Sequence, residues 1–251
     1  MQFKIIESTY TPEKIITQKY VQQLLRTNYS EAMQAQPIYR GMGTSNLNLN
    51  WKKPRLIKPG PGRPRKSANT YNYYTLIINN SPDWKYFPKR EIICTTESAF
   101  AEGYGNVYRV YPKNGAKIGI CPEDDIWGSK FGFYNELVNI IFEHFHLGKM
   151  AGVNIEENYQ EFFKACAKVD ANRNELTDVK KWDIPDFNKD HINKTFRRYI
   201  TGKGTFFNYL LKKLYNPSQF EWMPIKNFKT DMNVHEVWTD SPCLMISEEE
   251  D

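Results

Sequence analysis

The sequence lacks the cysteine and histidine patterns that mark metal-bound or disulfide-linked proteins. Its four cysteines are scattered, and no two of them form a Cys-x-x-Cys pair. This usage argues against a structural zinc site and is typical of a reducing compartment. Of the four histidines, His144 and His146 stand two positions apart on a predicted helix and therefore cannot share a face. No metal site is predicted.

Long apolar runs are also missing. No stretch approaches the ~18 apolar residues that a membrane helix needs, and no charged-then-apolar leader opens the chain. We therefore expect a soluble, cytoplasmic protein with no membrane partner. A chain of 251 residues should bury roughly 70–75% of its unfolded surface, so its core needs no covalent staples.

Carboxylates are missing from one segment in particular. Positions 52–66 carry seven basic residues and no acidic one, although the net charge is only +5. Such a segment suits a polyanion, which could be NAD, a nucleic acid or an acidic partner, and it is also typical of a solvated loop. Both interpretations stay open. The candidate nucleic-acid-binding residues are Lys52, Lys53, Arg55, Lys58, Arg63, Arg65 and Lys66.

Hydrophobic periodicity predicts helices and strands in the first half of the chain. The predicted helices are 12–35, 67–80 and 97–104. The predicted strands are 37–41, 90–96, 107–111 and 116–121. Asn, Pro and Gly make residues 43–66 a predicted long loop.

The second half changes character. Apolar residues over 130–215 recur at helical spacing, and 234–246 is strand-like again. The sequence therefore predicts an α+β fold in which the last strand pairs back into the first sheet. In that arrangement, residues 1–127 and 231–251 form the core, and 128–230 is a helical insertion.

Three strand-like segments carry polar groups that together suit one kind of chemistry. Arg40 offers a planar guanidinium that fits a phosphate. The hydroxyls of Thr95 and Thr96 can hold a ribose. The carboxylate of Glu236 can stabilise an oxocarbenium-like transition state, as carboxylates do in glycoside cleavage. Each group also has an ordinary structural explanation, because strand ends and β-propensity favour the same residue types.

The order of these segments resembles the ADP-ribosyltransferase superfamily, in its Arg–Ser–Glu branch. Tyr39-Arg40-Gly41 is similar to the first-strand Tyr-Arg-Gly of that family. Cys94-Thr95-Thr96 stands where the family has Ser-Thr-Ser. The helix that follows this motif in the family carries residues similar to Ala99, Ala101, Tyr104 and Gly105. His235-Glu236-Val237 resembles the strand that bears the catalytic glutamate. The resemblance covers about residues 37–121 and 234–246, less than half of the chain.

The resemblance implies a split β-sheet core that cleaves NAD and transfers ADP-ribose, as in bacterial toxins and phage effectors. It implies catalytic roles for Glu236, Arg40, Thr95 and Thr96. It implies NAD contacts from Tyr39, Arg40, Gly41 and Thr95. Ser67 and Asn69 belong to a polar patch that either begins a helix or lines the NAD or acceptor site.

Two departures from the family pattern bear on the acceptor and on the catalytic carboxylate. Val234 stands where arginine-modifying relatives carry Glu or Gln, so a protein arginine is a less expected acceptor. With the basic segment, this favours a nucleic-acid acceptor, RNA or DNA; an antitoxin or inhibitor protein is a further expected partner. Asp125 is a second candidate carboxylate, but it is one methylene shorter, and Glu236 is preferred.

A second function class stays open beside the enzyme. The chain could be a non-catalytic nucleic-acid-binding module in which Arg40 and Glu236 are structural. Label transfer from NAD to RNA, DNA or protein separates the two interpretations.

Overall fold

The structure is a computed structural model that describes residues 14–43, 53–59, 73–147, 149–150, 153–154, 158–231 and 233–248. The strands in these ranges are β1 (Lys14–Ile15), β2 (Ile38–Met42), β3 (Arg55–Ile57), β4 (Ile92–Thr95), β5 (Asn106–Pro112), β6 (Lys117–Ile120), β7 (Lys149–Met150), β8 (Val153–Asn154), β9 (Glu221–Pro224), β10 (Glu236–Thr239) and β11 (Cys243–Ser247). Of these described strands, nine form one antiparallel sheet in the order β1-β3-β11-β5-β2-β4-β10-β6-β9. β7 and β8 form a small separate hairpin.

The sheet is nearly divided between β2 and β4. β2 pairs with β5 along its whole length. Across the part of the chain that the structure describes, a single residue pair, Tyr39 opposite Thr95, joins β2 to β4. We call this place the β2–β4 junction.

Helices surround the sheet. They are α1 (Gln18–Thr27), α2 (Ser30–Gln34), α3 (Tyr73–Asn80), α4 (Ser98–Glu102), α5 (Lys130–His144), α6 (Tyr159–Ala171), α7 (Asp186–Ile200) and α8 (Phe206–Tyr209), which continues as a π-helical turn over Leu210–Leu214. Short 3-10 helices are Pro82–Trp84, Arg173–Lys181, Pro217–Gln219 and Ile225–Asn227.

Local sequence explains where several helices begin. The Ser129 hydroxyl accepts a hydrogen bond from the Phe131 N–H before α5. The Asn158 side chain caps α6, and the Thr205 hydroxyl caps α8. Each of these side chains satisfies an N–H that the first turn of a helix leaves without an intrahelical partner.

Alternation along β10 separates two hydrophobic cores. Val237 packs in a core formed by one face of the sheet with α1 and α2. Trp238 points to the opposite face, into a core built by α3 and α5 to α8. A Cβ on Gly119 of β6 would lie 2.3 Å from the indole of Trp238. Glycine at this position therefore lets the large ring lie flat against the sheet.

The predicted α+β class is confirmed, since helices and an antiparallel sheet are both present. The four early strands and the helical block are also found, within two residues of the predicted strand ends. The helix predicted over 67–80 is present over its described part, 73–80, whereas 67–72 lies outside the described residues.

Three predictions of secondary structure are wrong. The helix over 12–35 is instead β1, α1 and α2, because the chain leaves the helix at Asn28 and Tyr29. The loop over 43–66 contains β3, which pairs with β11. The last strand is two, β10 and β11, because the chain turns between Thr239 and Cys243, where the Thr239 hydroxyl accepts the Ser241 N–H.

Two elements blur the predicted boundary between core and insertion. β9 lies inside the range predicted as helical insertion, yet it pairs with β6 and extends the sheet. α3 precedes that range, yet its side chains lie in the core of the helical block. The helical block therefore packs directly on the face of the sheet that carries Ile93 and Trp238.

Candidate functional site

The three segments with distinctive polar groups lie on neighbouring strands. Thr95 of β4 stands directly opposite Tyr39 of β2 on one side and directly opposite Glu236 of β10 on the other. Residues directly opposite in antiparallel strands share a face of the sheet. Tyr39, Thr95 and Glu236 therefore form one row that crosses the β2–β4 junction.

Arg40 does not belong to this row. As the next residue along β2 it points to the other face, and it is only 5% exposed. Its Nη1 donates to the backbone oxygen of Ile93 at 2.9 Å. The guanidinium therefore ties β2 to β4 at the point where the two strands share little backbone pairing.

Gly41 brings the following helix against β2. A Cβ at this position would lie 1.9 Å from the carbonyl oxygen of Ala101 and 2.8 Å from the Cβ of Tyr104. Only glycine permits such an approach. As a result, the end of α4 and the Cβ of Tyr104 lie against β2, beside the row.

Glu236 is buried in an ion pair with Arg90. Arg90 Nε donates to Oε1 at 2.9 Å and Nη2 donates to Oε2 at 3.0 Å. The two side chains are 5% and 7% exposed. The backbone N–H of Ile126 donates to Oε2 as well, at 3.3 Å. Both carboxylate oxygens thus accept hydrogen bonds from within the protein.

The guanidinium of Arg90 is held in turn by α3. Its Nη1 donates to the Thr75 hydroxyl at 2.9 Å, and its Cζ lies 5.2 Å from the centre of the Tyr74 ring. Burial lowers the pKa of Arg90, but the Glu236 carboxylate, together with Tyr74 and Asp125, outweighs this effect, and the pKa lies above its usual value. Burial raises the pKa of the Glu236 carboxyl, and Arg90 opposes that shift. The bidentate geometry favours the ionised pair.

An acidic loop passes over this pair. Asp125 is half-buried, and its Oδ1 accepts the N–H of Trp127 at 2.9 Å. Its neighbour Ile126 donates to Glu236. Asp125 therefore lies at the rim of the site, while the Glu236 carboxylate lies beneath it. An open depression of about 370 Å³ lies beside the acidic loop. It is lined by Pro122, Glu123, Asp124, Asn233 and Val234.

Tyr104 faces these carboxyl groups. Burial raises its pKa to about 12, and the charges of Asp125 and Glu236 act in the same direction. The phenol therefore stays protonated at physiological pH and keeps an O–H to donate. A half-buried phenol and a half-buried carboxylate near one row of side chains can together hold sugar hydroxyls.

The two threonine hydroxyls stabilise the ends of their strands. Thr95 Oγ1 accepts the N–H of Glu97 at 3.3 Å, where the chain enters α4. Thr96 Oγ1 accepts the N–H of His235 at 2.9 Å, just before β10. The ring of His235 lies between two acceptors, the Cys121 carbonyl at 2.8 Å and Asp231 Oδ1 at 2.7 Å.

The structure describes part of the predicted basic segment. Lys53 and Lys58 are exposed. Arg55 belongs to β3, where its guanidinium lies 5.0 Å from the centre of the Tyr108 ring. The other candidates lie outside the described residues: Lys52, Arg63, Arg65, Lys66, Ser67 and Asn69.

Metal and membrane features can be stated for the described ranges. No group of His, Cys, Asp and Glu side chains in them is arranged to hold a metal ion. None of the helices found there combines the length and the apolar character needed to cross a bilayer. All four cysteines are buried free thiols.

Arg90, Thr75 and Asp231 were not predicted from the sequence. Arg90 lies 146 residues from Glu236, and no spacing pattern connects positions so far apart. Asp231 precedes His235 by only four residues, but Asn233 and Val234 between them are not helical, so helical periodicity gave no signal for this contact.

Comparison of the chain with protein-family models, with curated proteins and with solved structures finds no match.

Proposed function

We propose that this protein is a mono-ADP-ribosyltransferase that cleaves NAD and transfers ADP-ribose to a macromolecular acceptor, with RNA or DNA favoured over protein. One observation carries the proposal: Tyr39, Thr95 and Glu236 lie in register on the adjacent strands β2, β4 and β10. Their segments are distant in sequence, and they are the ones that resemble the three motifs of the ADP-ribosyltransferase superfamily. The near-division of the sheet at the β2–β4 junction supports an ADP-ribosyltransferase-like split sheet.

In this proposal the bond between nicotinamide and the ribose C1′ breaks, and nicotinamide leaves with the bonding electron pair. The developing positive charge on the ribose needs a nearby carboxylate. The acceptor nucleophile then forms a bond to C1′ and gives up its proton to a base. NAD is the substrate, and no metal takes part in the proposed step.

The contacts of Glu236 change the preferred assignment of the carboxylate. Its two oxygens are occupied by Arg90 and the Ile126 N–H, so it has little capacity left for a ribose. We assign it as a positioning residue that fixes the acidic loop. Asp125, at the rim, is the carboxylate that contacts the substrate, and the Tyr104 phenol is a donor to the same sugar.

The fit to NAD is uneven. Hydroxyl, phenol and carboxyl groups that suit a ribose lie together near the β2–β4 junction. The guanidinium that the resemblance assigns to the diphosphate is instead turned to the Ile93 carbonyl. In the proposal Arg40 therefore braces the junction, and the diphosphate takes its cationic partner from elsewhere in the chain.

A second function is favoured by the same contacts. Both charged groups of the motif set, Arg40 and Glu236, are nearly buried and have partners inside the protein. This is the arrangement expected of a non-catalytic nucleic-acid-binding module that keeps these residues for stability.

One experiment separates the two functions. The protein is incubated with NAD labelled in its adenylate part, together with total RNA, DNA or cell lysate. The enzyme predicts nicotinamide release and transfer of the label to a macromolecule, with loss of both in Asp125→Asn. If the protein binds nucleic acid but releases no nicotinamide with any of these acceptors, the result supports the non-catalytic binding module and excludes the enzyme.

A further inference from the structure

A long stretch of the helical block contains no acidic residue. From position 191 to position 220 the chain has no Asp or Glu and six Lys or Arg residues. All six are exposed, and within the described residues none of them forms a salt bridge. They are Lys194, Arg197, Arg198, Lys203, Lys212 and Lys213.

Other lysines of the same block are neutralised by partners three positions away. Lys164 pairs with Glu161 at 2.7 Å, Lys181 with Asp178 at 3.0 Å and Lys189 with Asp186 at 3.1 Å. The cations of positions 191–220 thus differ from these three lysines, whose charges are paired with carboxylates. Last-turn positions such as Arg198 complement the helix dipole, but that accounts for neither Lys194 nor Lys203.

Five of these six cations lie on two helical segments that are in contact with each other. The Tyr209 hydroxyl donates to the Thr195 carbonyl, which joins the helix that begins at Phe206 to α7. Burial raises the pKa of Tyr209, and the nearby charge of Arg198 opposes the shift. Lys212 and Lys213 follow in the π-helical turn Leu210–Leu214, and both are exposed.

The same face of α7 carries an exposed aromatic ring. Positions 187, 191, 194 and 198 follow at spacings of three and four, which places them on one stripe; the exposed Asp190, just before the acid-free stretch, borders this stripe. Phe187 is 67% exposed, the largest exposed fraction among the large apolar side chains of the described residues. Its ring centre lies 4.2 Å from that of His191, which in turn lies 5.0 Å from Phe133 of α5.

We infer that this stripe, Phe187 to Arg198, together with the exposed Lys212 and Lys213, binds single-stranded nucleic acid. Its cations contact backbone phosphates, and a base stacks on the exposed face of Phe187. A row of unpaired cations beside an exposed ring is the pattern that such strands require, because every base offers a π-face. Binding of nucleic acid at the stripe does not depend on the proposed function. Its role does, because we infer that the stripe presents the acceptor to the proposed enzyme.

Charge removal at the stripe tests the phosphate contacts. The variant combines Lys194→Gln, Arg198→Gln and Lys213→Gln, and its matched control combines Lys164→Gln, Lys181→Gln and Lys189→Gln. Both lose three positive charges from the helical block. Binding of labelled oligouridylate and oligothymidylate is measured by fluorescence anisotropy over a series of salt concentrations. Each single-strand phosphate contact contributes about 0.7 to the slope of log affinity against log salt, so the stripe variant should lose about 2. The control should keep the wild-type slope.

Phe187→Ala tests the stacking contact separately. It should weaken binding about tenfold, because a base stacked on an aromatic ring is lost, and it should leave the salt slope unchanged. RNA and DNA are compared in the same assay, since both carry the phosphates and bases that the stripe recognises.

Four results would overturn the inference: no binding of the oligonucleotides, an unchanged slope in the stripe variant, an equal loss in the control, or polyglutamate competing as well as the oligonucleotides do. The last result would identify an acidic protein partner instead. Nicotinamide release without nucleic acid is measured in parallel, with circular dichroism to verify folding. Turnover with failed binding overturns this inference alone. Binding that follows the expected pattern without turnover leaves it standing and removes the proposed enzyme.

Discussion

Arg90 and Glu236 form a bidentate ion pair inside the protein, with both side chains less than a tenth exposed. The pair connects the start of β4 to β10, and the hydrogen bond from Arg90 to Thr75 extends the connection to α3. The Ile126 N–H adds the acidic loop. One buried charge pair therefore fixes the relative positions of the sheet, a helix of the helical block and the rim of the candidate site.

Removing one partner of this pair should cost far more than removing both. Arg90→Met or Glu236→Met leaves an uncompensated buried charge, which typically costs about 3–5 kcal/mol. The double variant replaces the pair by apolar side chains of similar volume, so its destabilisation should be well below the sum of the singles. Urea unfolding of the four proteins measures this coupling.

Thr75→Val serves as a control for the pair. It removes one hydrogen bond from Arg90 but leaves the ion pair, so it should cost only about 1 kcal/mol. Additive effects of the two Met substitutions, each no larger than that of Thr75→Val, would mean that the pair makes no structural contribution.

The catalytic carboxylate should be identified by separating turnover from folding. Asp125→Asn should lower nicotinamide release about 10²–10³-fold, the usual cost of removing one preorganised electrostatic group. Because Asp125 is half-buried and lies at the rim, the unfolding free energy of the Asp125→Asn variant should differ little from that of wild type. Glu236→Gln should destabilise the protein, and turnover per folded molecule should fall less than in Asp125→Asn.

The measurement is nicotinamide release divided by the folded fraction from circular dichroism. Normal turnover in Asp125→Asn, with collapse of turnover in a well-folded Glu236→Gln, returns the catalytic role to Glu236, as the sequence alone suggested.

The sequence predicted strands better than contacts. Period-two patterns around Tyr39 and Thr95 are local, and the structure has strands there. The adjacency of these strands to β10 was expected from the family resemblance, not from periodicity. The side-chain direction of Arg40 and the partner of Glu236 could not be predicted, because register and long-range pairing depend on the whole sheet. β3 was missed because a strand of three residues, lying between Pro54 and Pro59, gives too short a pattern to distinguish from a loop.

Gly41 should be intolerant of any side chain. Gly41→Ala places a Cβ 1.9 Å from the Ala101 carbonyl oxygen, and backbone atoms cannot give way as a flexible side chain can. The substitution should cost about 1–3 kcal/mol, as overpacking does. Thermal unfolding measures the loss.

Gly43→Ala is the matched control, since the nearest atom to its added Cβ is 3.9 Å away. It should be nearly neutral in stability. Equal behaviour of the two alanine variants would show that α4 does not depend on close approach to β2. In the enzyme proposal, Gly41→Ala should also lower turnover, because it displaces Tyr104.

The contact between Asp231 and His235 should make stability depend on pH in the acidic range. His235 lowers the pKa of the Asp231 carboxyl below its ordinary value of 3.8, and the Asn233 N–H acts in the same direction. An acid whose pKa is depressed by folding stabilises the folded state when the pH is above its unfolded value. That contribution is lost as the pH falls through the folded value.

Asp231→Asn should therefore be less stable than wild type at neutral pH, and the difference should shrink below about pH 3.8. Chemical unfolding of both proteins over a pH series measures it, with Asp183→Asn, another exposed aspartate, as the control for removing a surface charge. If the Asp231→Asn difference stays constant across that range, or if Asp183→Asn follows the same curve, the Asp231 carboxylate does not hold the loop before β10 through His235.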